Sequence, residues 1–168
     1  VIERAGKAGE VIVACTIRKE DDVIVDLCRM KLDCEVYLGS EHDVLGRFYD
    51  TAAYANDCTI VRITSDCPMV DSSVIDECID MFDAGGYDYV SVSHPERAVP
   101  SGFDVEVFSF DALVYTHFAT LGLAEPMRSF CREHVTPYMY GQSGMRCGTY
   151  RPAPAVDLLG CGGHRQLS

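Results

Sequence analysis

Thr59-Ile60-Val61-Arg62-Ile63-Thr64-Ser65-Asp66-Cys67-Pro68 is the stretch that decides the fold. Its apolar run is short and nearly continuous, as in a strand covered on both faces. It passes at once into small polar residues and a proline. The pattern recurs outward from it at Val11-Ile12-Val13-Ala14-Cys15, at Glu35-Val36-Tyr37-Leu38 and at Tyr87-Asp88-Tyr89-Val90-Ser91. Strand starts at Val11, Glu35, Thr59 and Tyr87 lie 24, 24 and 28 residues apart. That is room for a strand, a helix and two short loops, so the chain reads as successive βαβ units.

The intervening segments have helical spacing. Asp21 and Asp22 mark a helix start, where carboxylates complement the helix dipole, and Val23, Leu27 and Met30 follow at helical intervals. Leu45, Phe48, Tyr49 and Ala52 mark a second helix. Ile75, Cys78, Ile79 and Phe82 mark a third, stopped by Gly85-Gly86. Beyond Ser91, a strand is expected from Gly102 to Phe108, a helix from Asp111 to His117, mainly helix from Met127 to Tyr140, and a last strand from Met145 to Tyr150. The expected class is α/β, with a mostly parallel sheet sandwiched by helices.

The chain has 168 residues, 48% of them hydrophobic, with a formal net charge of −12. The length suits one domain, and the apolar content excludes a disordered chain. No apolar run approaches the ~20 residues of a membrane span. The acidity argues against a nucleic-acid binder, which needs a basic face. The nine cysteines are odd in number and form no Cys-x-x-Cys pair. A disulfide scaffold is therefore not expected, and the thiols point to a reducing compartment. No signal peptide is visible, so a cytoplasmic location is expected. Val1-Ile2-Glu3-Arg4-Ala5 reads like the tail of a helix, and the Pro- and Gly-rich residues 151–168 read as an irregular tail. Both ends suggest a fragment of a longer protein, with an α/β domain over 1–150.

Ligands of open α/β sheets bind at the carboxyl ends of the strands. The first candidates are Thr16, the Gly39–Asp43 loop, Ser65-Asp66-Cys67-Pro68 and the segment after Ser91. Asp66 follows a buried strand and is held by nearby Pro68. A carboxylate there suits Mg²⁺, which takes one or two carboxylates together with phosphate oxygens. The competing reading makes Asp66 the cap of the helix near Ser72, a task for which Asp71 lies closer. Arg62, a charge inside an apolar strand, either reaches a phosphate or carboxylate of a ligand or pairs structurally. Asp104 and Glu106 share one strand face by alternation. On a helix, Arg132-Glu133-His134 splay widely enough that at most two can address one site. For both clusters a solvated face with a buried ion pair is the plain alternative. Cys131 with His134 and Cys161 with His164 form two Cys-x-x-His pairs, a weak zinc pattern. Dinucleotide, P-loop and nucleophile-elbow signatures are absent.

In order along the chain, Val11-Ile-Val-Ala-Cys-Thr, Asp21-Asp22, Gly39-Ser-Glu-His-Asp-Val-Leu-Gly-Arg47-Phe-Tyr, Val61-Arg-Ile-Thr-Ser-Asp66-Cys-Pro-Met-Val-Asp71, Asp104-Val-Glu-Val-Phe-Ser-Phe and Arg132-Glu-His-Val-Thr-Pro-Tyr138 follow one another. This series resembles the cytidylyltransferase-like proteins of spore coat polysaccharide biosynthesis. More distantly it is similar to acylneuraminate and 3-deoxy-manno-octulosonate cytidylyltransferases. The resemblance implies a nucleotide-diphosphosugar transferase (Rossmann-like) fold. It also implies transfer of CMP from CTP to a sugar or sugar acid, with release of pyrophosphate.

By position, Asp66 matches the carboxylate that holds Mg²⁺ on the triphosphate, and it is expected to be catalytic together with Arg62. Ser40, Asp43 and Arg47 match the loop near the nucleotide, and Ser65, which adjoins Asp66, is expected to bind with them. Asp104, Glu106, Arg132 and His134 match later motifs expected on the sugar side. A homodimer is expected by resemblance, through the segment after Ser91. The family's first strand and Gly-rich phosphate loop would precede Val1, so the chain alone is expected to bind CTP poorly. Val156-Asp157 sits in surroundings unlike the family's second metal motif and is given no role. The alternative function is a non-catalytic, degenerate α/β module acting by binding or assembly.

Overall fold

The computed structural model describes residues 4–32, 34–55, 59–141 and 144–152. β1 (Ile12–Thr16) and β2 (Glu35–Gly39) pair in parallel, from Ile12 opposite Glu35 to Thr16 opposite Gly39. A second sheet runs β3 (Thr59–Arg62), β5 (Glu106–Ser109), β4 (Tyr89–Ser91), β6 (Cys147–Thr149). β5 is antiparallel to both neighbours and β6 is parallel to β4, so three of these four strands point one way. The α/β class and the predominance of one strand direction agree with the sequence. The reversed β5 refines the βαβ expectation.

Helices cover both faces. They are α1 (Asp22–Leu27), continued by a π-helical turn over Cys28–Leu32, then α2 (Val44–Ala55), α3 (Ser72–Asp83), α4 (Phe110–Leu121), α5 (Met127–His134) and α6 (Pro137–Gly141). Strand alternation divides the core. Val90 and Val107 join Ile75, Cys78 and Ile79 of α3 on one face. Tyr89 and Phe108 join Leu45, Leu113, Val135 and Met139 on the other. One residue of slip in β5 would exchange the two sets, and burial on both sides forbids it.

Several local expectations change. The strand expected from Gly102 begins only at Glu106, so Asp104 lies in the preceding loop and does not share a strand face with Glu106. The helix expected over 127–140 breaks at Val135, whose φ is 71°, and becomes α5 and α6. α1 buries Val25 and leaves Val23 and Leu27 exposed, as is Met30 in the π-helical turn that follows. The α3 stop agrees with the sequence, since Gly85 and Gly86 take φ of 87° and 97°, which glycine alone adopts without strain. The tail beyond residue 152 lies outside the described residues, as do Cys161 and His164.

Candidate functional site

The ends of β3 and β4 and the entry to β5 open on a cavity of about 420 Å³. The reversal of β5 explains the assembly: the start of an antiparallel strand lies beside the carboxyl ends of its neighbours. Asp104 and Glu106 therefore meet the residues that follow Arg62.

Asp66 projects from the tight turn after β3, which closes when the Cys67 N–H donates to the Thr64 carbonyl at 3.0 Å. Its side chain is exposed and lines the cavity. The Thr64 hydroxyl donates to it, and that bond holds the carboxyl below the usual carboxylate range. The helix-cap alternative is taken by Asp71, which accepts the Ser73 N–H at 2.9 Å at the head of α3. Cys67 Sγ stands 3.7 Å from Asp66 Oδ1 and 3.8 Å from Asp104 Oδ2, so two carboxylates flank one buried thiol. Asp104 also pairs with Arg97 at 3.0 Å.

Arg62 lines the cavity and forms a buried ion pair with Glu106. Glu106 Oε1 accepts from the Tyr89 hydroxyl at 2.7 Å and from Thr136 Oγ1 at 2.6 Å. Burial, reinforced by this carboxylate, pushes the Tyr89 phenol up. Of the two readings of Arg62, the structural pairing is therefore realised, and Glu106 is bound up by protein donors. Arg62 Nε is nonetheless buried with no hydrogen-bond partner among the described residues, and the guanidinium lies 5.4 Å from the Phe48 ring centroid.

His134 lines the same cavity, edge-on to Phe130 at 4.7 Å. Two residues, about 200° around the helix, separate it from Arg132, which lines a neighbouring charged cleft of about 540 Å³ with Asp43. Arg132 ion-pairs with Asp43 and donates to the His117 carbonyl at 3.3 Å. Asp43 caps α2, accepting the Gly46 N–H at 2.9 Å, while its own N–H donates to Ser40 Oγ at 3.1 Å. Arg47 donates to the Ser40 carbonyl at 2.8 Å, and burial lowers its pKa.

The structure thus gathers Arg62, Asp66, Asp104, Glu106 and His134 in one cavity. It places Ser40, Asp43, Arg47 and Arg132 in a second group, joined to the first through α5. Ser65 is exposed on the β3 turn and lines neither hollow. Thr16 receives the Arg18 N–H at 3.1 Å and donates to Asp21, a local turn.

Sequence reasoning passed over Thr64, Tyr89, Thr136 and the His94–Tyr140 pair. The last two rings stack 4.1 Å apart at the cavity wall, and burial lowers the His94 pKa. His94 carried one signal, its place in the segment after β4. Tyr140 carried none. No cluster of three metal-binding side chains occurs among the described residues. Cys131 is buried and its thiol is pushed up by burial, which disfavours the zinc pattern. An exposed, ionised Asp66 with Asp104 nearby fits a hard cation that takes part of its oxygen shell from a bound phosphate.

Comparison with known proteins adds family evidence. The family model described as cytidylyltransferase matches residues 1–150. An uncharacterized protein of Methanocaldococcus jannaschii is 38% identical over 139 residues, covering 83% of this chain and 53% of the relative. The spore coat polysaccharide biosynthesis protein SpsF of Bacillus subtilis is 27% identical over 143 residues, covering 85% of this chain and 56% of the relative. A solved cytidylyltransferase structure from Leptospira borgpetersenii superposes with a TM-score of 0.75 at 25% identity, covering 90% of this chain and 63% of that one. The chain spans about half the length of the curated relatives it matches.

Proposed function

The chain belongs to the cytidylyltransferase family, and from that premise we propose that it carries part of an enzyme transferring CMP from CTP to a sugar or sugar acid. Pyrophosphate is the second product, and the use is surface polysaccharide or glycoconjugate synthesis, as the name of the Bacillus subtilis relative supports. The proposed setting is the cytoplasm. No helix among the described residues is long and apolar enough to cross a membrane.

One observation carries the reading: Asp66, exposed and ionised, stands at the end of β3 on the rim of the cavity. Asp66 is the proposed Mg²⁺ ligand, with Asp104, which flanks the same Cys67 thiol, as the second carboxylate. When bound, Mg²⁺ neutralises phosphate charge. The protein's own part is positioning. Glu106, Tyr89 and Thr136 fix Arg62 at the cavity wall, while His134 and the His94–Tyr140 stack border the space assigned to the sugar. Asp43 and Arg132 hold the Ser40–Arg47 loop assigned to the nucleotide. Phosphoryl-type transfer depends mainly on such placement and charge compensation.

The test is CTP-dependent pyrophosphate release with Mg²⁺ and a panel of sugars and sugar acids. It is run on the chain and on the chain preceded by a relative's Gly-rich phosphate segment. Release that disappears in Asp66→Asn supports the assignment. Release unchanged in Asp66→Asn overturns it, and no release in either form favours a binding or assembly module.

A further inference from the structure

α5 ends in a backbone turn that its sequence does not favour. Val135 has φ of 71° and ψ of −61°, and the Thr136 N–H donates to the His134 carbonyl at 2.9 Å. This is a γ-turn with its central residue on the left-handed side, a rare and strained form, and a β-branched side chain adds to the strain. The surroundings hold it in place. Val135 is completely buried, Thr136 Oγ1 donates to Glu106 Oε1 at 2.6 Å, and Pro137 opens α6. On one continuous helix Thr136 would lie roughly 160°, and Tyr140 roughly 120°, around the axis from His134. Across the turn, all three line the same cavity. Backbone strain of this kind persists where the conformation it enforces is used.

The cavity's own chemistry identifies the use. A hydroxyl that attacks phosphorus must shed its proton, and most acceptors here are engaged. Glu106 takes Arg62, Tyr89 and Thr136. Asp104 holds Arg97, and Asp66 accepts from Thr64 and is the proposed cation ligand. His94 is half-buried and flat on Tyr140, the ring planes 4° apart. His134 is exposed, and among the described residues its ring has only the edge-on contact with Phe130 and no hydrogen bond. Resting on the transfer reading above, we propose that the Val135 turn aims His134 as the general base for the attacking sugar hydroxyl. The hydroxyl oxygen bonds to the α-phosphorus of CTP as its proton passes to a ring nitrogen of His134. The bond from that phosphorus to the bridging oxygen breaks, and its electron pair leaves with pyrophosphate. His134, open to solvent, then returns the proton to water. His134 is thus a catalytic residue, and Val135 a positioning residue that acts through it.

The test measures pyrophosphate release in whichever of the two forms above supports it. His134→Ala is expected to lower kcat roughly 100-fold or more with KM for CTP unchanged, and added imidazole restores part of the rate. Imidazole restores nothing to Asp66→Asn, which separates loss of the base from loss of the transfer itself. Val135→Gly frees the turn and lowers kcat, yet has no further effect once His134 is alanine. An unchanged far-ultraviolet circular dichroism spectrum checks each fold, and His134→Ala, at an exposed position, decides the matter even if Val135→Gly unfolds. A His134→Ala variant that keeps its rate while Asp66→Asn loses it overturns the proposal and leaves the transfer reading standing. So does a loss that imidazole does not relieve, or one that imidazole relieves in His94→Gln instead. No release from the unsubstituted chain overturns both.

Discussion

Arg62 and Glu106 stand directly opposite each other at the last rung of the β3–β5 ladder, and their side chains form an ion pair 13% and 7% exposed. Cross-strand neighbours of opposite charge stabilise a sheet modestly at a surface. At this depth each charge would be costly without the other. Glu106 is further satisfied by Tyr89 and Thr136, so three residues, from β3, β4 and the α5–α6 break, share the one carboxylate of β5.

Removing that carboxylate leaves the Arg62 charge buried and two hydroxyls without their acceptor. Glu106→Ala is expected to cost about 3–5 kcal/mol in urea unfolding. Pairing Arg62→Met with Glu106→Leu recovers much of that loss. Tyr89→Phe, which leaves the ion pair in place, costs about 1 kcal/mol.

Asp66 and Asp71 lie five positions apart; Asp71 caps α3, whereas Asp66 is the proposed Mg²⁺ ligand. Asp71→Ala removes the α3 cap and is expected to lower stability by about 1 kcal/mol. Asp66→Asn is expected to change stability by less than about 0.5 kcal/mol, while reducing Mg²⁺-dependent pyrophosphate release by roughly 100-fold or more. Denaturation curves and the release assay on the same two variants separate the roles.

His117 stacks on Tyr49 at 4.3 Å, its Nδ1 is buried without a partner among the described residues, and burial with nearby Arg132 lowers its pKa from 6.5. The unfolded chain therefore takes up this proton at higher pH than the folded one. Stability is full above the ordinary histidine range and falls as pH drops through it toward the lowered folded value. His94 contributes in the same direction. Carboxylates held low, such as Asp71 and Asp88, add their loss only at more acid pH. Thermal melts from about pH 8 to about pH 5 are expected to show a decline that His117→Phe makes shallower.

Gly46 gives Asp43 its room. A Cβ added there would stand 2.5 Å from Asp43 Oδ2, the oxygen that Arg132 engages. Gly46→Ala should gain the better helix propensity of alanine, about 1 kcal/mol. It also displaces the cap and breaks a tie between α2 and α5. The net expectation is a loss of about 1–2 kcal/mol, read by denaturant unfolding, and Arg132→Met should remove part of the difference between Gly and Ala.

Most of the elements could be read from the chain because their signals are local. The apolar run before Asp66, the Asp71 cap and the Gly85 stop each depend on neighbours within a few residues. The direction of β5 could not be read, since alternation is the same for either sense of a strand. The exposed stripe of α1 misled for a related reason: helical spacing locates an apolar face without saying what it meets. Within the site, Asp66 was visible as the polar residue after a buried strand. The partner of Arg62 was not, because it lies 44 residues away and is selected only by sheet register.

That separation bears on folding kinetics. β5 must return across more than forty residues to slot between β3 and β4, and such long-range closure carries a large entropic barrier. The cavity exists only after this insertion, so helices and the β1–β2 pair can form while it is still absent. Compounds that occupy the cavity will accordingly prolong the lifetime of the native state and leave the refolding rate unaltered.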